Sequence, residues 1–200
     1  METETETMVG AKTTPIRGPD LATDVASALL RFVLGIIFSG HALQKLGWFE
    51  GGGYPTNISS QSEFVGFFGY DHTHVMAWLV TLTEAVSGVL LLAGLFTPLA
   101  VAGVMGISFQ FIAGPQWSAG LFGDTSGAGG FEFTLVIFGA AAALGFIGAG
   151  RFSLDSRLPW SLRGWRWGSA SVALAMIVGT IVLAWFGVGL GGHPPSLPSP

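Results

Sequence analysis

The sequence predicts an all-α, polytopic transmembrane helix bundle, and three observations carry that prediction. The 200-residue chain is 50% hydrophobic and only 10% charged, with a mean hydropathy of +0.61, a balance that suits lipid better than water. Five separate segments read as mainly apolar runs near the length needed to cross a bilayer, about 17–25 residues each. None shows the period-2 alternation of a membrane β-barrel, whose strands would be only about ten residues long. At roughly 20 residues per crossing, the length allows one compact bundle and little more.

The elements follow in order. Residues 1–24 form a polar, acidic tail, and METETETM supplies much of the formal net charge of −4. It has no basic n-region, and the apolar run after it is too long for a signal-peptide core and lacks a small-residue cleavage site. Val25–Leu46 is therefore expected to be an uncleaved first span. In the loop that follows, GGGYPTN precedes Phe64, Phe67 and Phe68 and the stretch ends at Tyr70. Two readings fit: a short amphipathic piece in the membrane interface, or an aromatic belt shared with Trp48, Phe49 and Trp78, which composition favours.

Val75–Phe96 is the second span. Leu99–Gly114 follows across only Thr97 and Pro98, which predicts a tight helical hairpin with proline opening the next helix. Phe131–Ala149 is the fourth span and Ser169–Leu190 the fifth. Between these two lies a basic loop, residues 156–168, and a Pro-rich tail, residues 191–200, closes the chain. Lys12, Arg17, Arg151, Arg157, Arg163 and Arg166 collect on one side of five crossings, whereas the other has only Lys45 near a helix end. The positive-inside rule then predicts a cytoplasmic N-terminus and an extracytoplasmic C-terminus.

The first span carries Arg31, His41 and Lys45. At 100° per residue they share an arc of roughly 80° with Gly35, Phe38 and Ala42. An ionisable group in hydrocarbon costs at least ~2.5–3.5 kcal/mol, so this stripe should face protein or a wet pocket. With helices running alternately at ~1.5 Å per residue, His41 falls roughly 7 Å and Glu84 roughly 13 Å from the outer ends of their helices. Lys45, Gln110 and Glu132 lie nearer that surface. Glu84, Gln110 and Glu132 share faces with small residues, which mark packing seams. The expected site is therefore an outer-leaflet polar pocket of His41, Lys45, Glu84, Gln110 and Glu132, with Arg31 structural or serving the inner side. Lys45 with Glu132 or Glu84, bridged by His41, would neutralise the cluster; such pairing could equally do no more than fix helix register. Arg31 could reach the cytoplasmic headgroups by snorkelling.

Other motifs carry less. His72-Thr-His74 offers two metal ligands with only Asp71 nearby, so surface histidines are favoured over a metal site. GDTSGAGG lacks the Lys-Ser/Thr of a phosphate loop. Asn57-Ile58-Ser59 matches a glycosylation acceptor, relevant only in a eukaryotic host. No nucleophile–base–acid triad is legible, and no basic patch suits nucleic acid. With Cys 0, no thiol, haem or iron–sulfur ligation is expected, so a redox role requires a borrowed cofactor or partner.

The run LLRFVLGIIFSGHALQKLGWFEGGG, residues 29–53, resembles the first-helix signature of the DoxX family of small bacterial membrane proteins. LTEAVSGVLLLAGLFTPLA, residues 82–100, and GGFEFTLVIFGAAAALGFIGAGRFSLD, residues 129–155, extend the resemblance, the last through a closing Gly-x-Gly-Arg-Phe-Ser-Leu-Asp element. The resemblance implies a four-helix membrane core over residues 25–155, to which the fifth helix would be an addition. Arg31, Gly40, His41, Lys45, Glu84 and Glu132 fall on family motif positions. It also implies a bacterial cytoplasmic membrane and association with redox chemistry, like the DoxD-type subunit of thiosulfate:quinone oxidoreductase or complexes countering oxidative stress. Two functions follow as expectations. One is a membrane subunit that binds a quinone-like molecule beside a partner protein; the other is a non-catalytic scaffold recruiting that partner, either one a monomer or a homo-oligomer. A small permease ranks last, because the inverted repeats and broken helices of transporters are absent from the sequence.

Overall fold

The computed structural model describes residues 20–50, 55–114, 116–123, 130–159 and 162–188. The acidic head, Lys12, Arg17, the GGGY stretch, residues 124–129, Trp160 and the Pro-rich tail lie outside the described residues. Six α-helices account for the described fold: α1 (Leu21–Lys45), α2 (Ile58–Phe67), α3 (Thr73–Ala93), α4 (Thr97–Ala113), α5 (Glu132–Ile147) and α6 (Trp165–Trp185).

Each boundary has a local cause. Asp20 caps α1, its carboxylate accepting from the Ala22 N–H at 3.4 Å, and the chain leaves α1 through Gly47 at φ +80°. A capping box opens α2: Asn57 Oδ1 accepts from Ser60 N at 2.9 Å, and Ser60 Oγ accepts from Asn57 N at 3.2 Å. The aromatic loop thus contains a short helix, with Gln61 and Val65 on its buried side. Phe68 reaches Phe111 of α4 edge-on, ring centres 6.3 Å apart. Trp48, Phe49 and Trp78 stay exposed, so a helix and surface aromatics occur side by side. Between α3 and α4, Gly94 and Phe96 both adopt positive φ, and Pro98 falls in the first turn of α4, giving the tight hairpin the sequence predicts.

Helices α1, α3, α4 and α5 pack in a ring, α1 chiefly on α3 and α4 on both α3 and α5. α6 lies outside this ring, against α4 and α5. α4 is consequently covered on most sides, and Val101, Val104 and Met105 are fully buried among Leu34, Leu91 and Leu144. A second cluster, including Val65, Tyr70, Met76, Val80 and Leu183, joins α2 to α3 and α6. Burial pushes the Tyr70 phenol well up from its ordinary pKa, so this side chain stays neutral.

Helices α1, α3 and α6 are long and apolar enough to cross a membrane, at 25, 21 and 21 residues. Leu29, Phe32, Val89, Ile177 and Ile181 are exposed along them, an outward apolar surface of the kind a bilayer covers. α4 and α5 are apolar but shorter, at 17 and 16 residues. At ~1.5 Å per residue they reach only about 25 Å, so the five segments expected as similar spans divide into three long and two short helices.

Candidate functional site

Close packing of α1 on α3 builds the first polar site. A Cβ on Gly35 would lie 2.8 Å from Leu92 Cγ, and one on Gly88 would lie 2.6 Å from the Ser39 nitrogen. Glycine at these two positions lets antiparallel backbones meet, as small residues do at membrane helix seams. In this register Lys45, in the last turn of α1, faces Glu84 in the middle of α3. Lys45 Nζ donates to both carboxylate oxygens at 2.6 Å, and the two side chains are only 9% and 7% exposed. His41, one turn before Lys45, is half-buried and within electrostatic reach of it. Three of the five predicted pocket residues therefore gather at one helix seam.

The other two do not join them in a shared set of contacts. Glu132 is exposed in the first turn of α5, where a carboxylate complements the helix dipole. Similar depth placed it with Lys45, but depth does not give rotation about the helix axis: α5 packs on α1 as well as α4 and α6, yet Glu132 lies on its exposed side. Gln110 is 7% exposed on α4, its Oε1 buried with no hydrogen-bond partner among the described residues. It lines a groove of about 480 Å³ between α3, α4 and α6, with Val80, Thr83, Ser87, Gly103 and Val182. Apart from Gln110, Thr83 and Ser87, the groove is almost wholly apolar, and Lys45, His41 and Glu84 do not line it.

Arg31 is 4% exposed and does not snorkel. Its guanidinium donates to the Leu91 carbonyl at 3.3 Å and the Phe152 carbonyl at 2.5 Å. Gly94 leaves it room, since a Cβ there would lie 2.9 Å from Arg31 Cζ. A cation suits the negative end of the α3 dipole; the Leu91 carbonyl also accepts from Gly94 N–H, and Arg31 Nε is buried without a partner among the described residues.

Several residues at this end were not singled out by their sequence positions. Asp155 accepts from Phe96 N at 2.8 Å and Thr97 N at 2.9 Å, one oxygen each, and so caps α4 from a distant loop. Asp24 accepts from Arg151 N at 2.9 Å and forms an ion pair with Arg151 Nε. Ser27 Oγ donates to the Gly148 carbonyl at 2.6 Å. The Gly-x-Gly-Arg-Phe-Ser-Leu-Asp element is thus a clasp joining α1, the α3–α4 hairpin and α5. Its specificity as a motif was the available signal; its partners, up to 127 residues away, were not readable locally. At the opposite end no local pattern pointed to Gln61, fully buried with both amide atoms lacking partners among the described residues.

His72 and His74 are both exposed, and among the described residues there is no group of three or more potential metal-binding side chains. The DoxX family model matches residues 26–117, from the first turns of α1 to just beyond α4. No curated protein and no solved structure matches the chain. The clasp at residues 148–155 lies beyond the matched segment.

Proposed function

The chain belongs to the DoxX family through residues 26–117, and from that premise we propose that it is a membrane subunit of an oxidoreductase system and holds a quinone-like molecule in the α3–α4–α6 groove. The observation that carries this reading is Gln110, a buried amide without a partner for its oxygen on the wall of an apolar groove. A site of this volume with few polar groups suits a small hydrophobic ligand. The amide can donate from Nε2 to a quinone oxygen and accept at Oε1 from a quinol hydroxyl, so one side chain serves both redox states. This moves the ligand contact away from His41 and Lys45, because Lys45 and Glu84 already satisfy one another.

The chain has no cysteine, so electrons pass from a partner enzyme to the quinone, two with two protons per quinol formed, and not through a thiol of this chain. The end bearing Arg151, Arg157, Arg163 and Arg166 faces the cytoplasm of a bacterial inner membrane, following the positive-inside rule. The self-satisfied Lys45–Glu84 pair gives specific support to a second reading, a scaffold without chemistry whose buried charges set helix register.

Titration of the detergent-purified protein with a short-chain benzoquinone, followed by tryptophan fluorescence, tests the first reading. Gln110→Leu should weaken binding about threefold to tenfold, the worth of one neutral hydrogen bond, while Glu132→Gln leaves it unchanged. No quinone binding by the native protein, or equal binding by Gln110→Leu, would remove the groove from consideration.

A further inference from the structure

The clasp encloses a second cavity at the arginine-rich end. It measures about 360 Å³ and is lined in part by Asp24, Gly150, Arg151, Ser153, Asp155 and Arg163. Both acids have partners: Asp24 binds Arg151, and Asp155 binds the Phe96 and Thr97 amides. Of the arginines, Arg151 gives only Nε to its ion pair and keeps a side chain 58% exposed. Arg163 has no salt bridge among the described residues.

Arg163 is nonetheless held in place. Gly148 has φ +82°, and a Cβ there would stand 2.5 Å from Arg163 Cβ and 3.3 Å from its Cα. The next amide, Gly164 N–H, donates to the Phe146 carbonyl at 3.0 Å. The backbone thus fixes where this guanidinium starts.

Leu162 lines this cavity and also a neighbouring slot of about 390 Å³, formed with Phe96, Pro98, Leu99 and Trp167 and almost devoid of polar surface. An arginine-lined compartment and an apolar one therefore meet at one residue. We propose that together they bind an anionic phospholipid, the phosphate at Arg151 and Arg163 and an acyl chain along Pro98, Leu99 and Trp167. Guanidinium forks match phosphate oxygens, and basic pockets between membrane helices recognise anionic headgroups. A zwitterionic lipid brings an ammonium that also needs a carboxylate, and the two acids in the wall are already engaged.

The site is separate from the Gln110 groove, and its test does not depend on quinone binding. Native mass spectrometry of the detergent-solubilised full chain, with phosphatidylglycerol or phosphatidylcholine of matched chains, reads lipid retention directly. Phosphatidylglycerol should be preferred, and Arg163→Gln should lower its retention about fivefold, the worth of roughly one arginine at an anionic surface. Arg157→Gln, outside the cavity lining, should leave retention unchanged, and Trp167→Ala should weaken both lipids alike. Should Arg163→Gln fold poorly, Arg163→Lys, which keeps the charge, should retain the preference. Equal retention of the two lipids by the native protein overturns the proposal, as does full retention by Arg163→Gln or an equal loss with Arg157→Gln. Displacement by glycerol phosphate at equal concentration would identify a free-phosphate site and overturn the lipid assignment.

Discussion

The two ends of the bundle differ in what their buried polar side chains bind. At the arginine-rich end, Arg31, Asp24, Ser27 and Asp155 all bind loop or hairpin backbone, so side chains tie the connections to the helices. At the α2 end, one ion pair joins α1 to α3, while Gln61, Tyr70 and Gln110 bury polar atoms without partners among the described residues. Buried polar groups are normally satisfied, and an unpartnered one marks a place for water or ligand. Side chain-to-loop bonds are concentrated at the arginine-rich end, whereas unpartnered buried atoms occur at both, Arg31 Nε and Thr97 Oγ1 at that end included.

Substitutions can break this contrast, beginning with the largest effect. Lys45→Met alone should destabilise the protein by about 3–5 kcal/mol, because it leaves the Glu84 carboxyl buried without its counter-charge and hydrogen-bond donor. Adding Glu84→Gln should recover much of that loss, as read by denaturant unfolding in micelles; a double variant as unstable as the single one would show that the pair is not the cause. Next, Asp155→Ala should cost about 2 kcal/mol by freeing two amides at the start of α4. Faster hydrogen exchange at Phe96 and Thr97 is the accompanying sign, and unchanged exchange there would refute the capping role. Smallest is Gln61→Leu, which replaces an unpartnered amide with an apolar group of similar size. Its stability should stay within about 1 kcal/mol of the native protein or rise, whereas a larger loss would mean that an ordered water already satisfies Gln61.

Much of the fold was legible in the sequence because apolar run length and helical period report on lipid and protein directly. The stripe of Arg31 and Lys45 faces protein, as its cost in hydrocarbon requires. The DoxX resemblance rested on residues 29–53, 82–100 and 129–155; the family model covers the first two and ends before the third. The site was only partly legible. Lys45 and Glu84 met, but Gln110 and Glu132 did not join that ion pair, since depth along a helix does not give rotation about the bundle. Asp155 escaped notice because a carboxylate that caps a helix 58 residues away leaves no local pattern. Asn57 and Ser60 did leave one, a capping box, overlapped by the glycosylation-like triplet Asn57-Ile58-Ser59.

The seam between α1 and α3 also dictates an order of events during synthesis. Lys45 emerges 39 residues before Glu84, and Arg31 emerges 60 residues before Leu91 and 121 before Phe152. At about 5–20 residues per second, these gaps last from roughly 2 s to more than 20 s. Through that interval α1 carries two cations with no partner yet made. The insertion machinery must shelter them until α3 arrives, and the clasp can close only after α5 has followed.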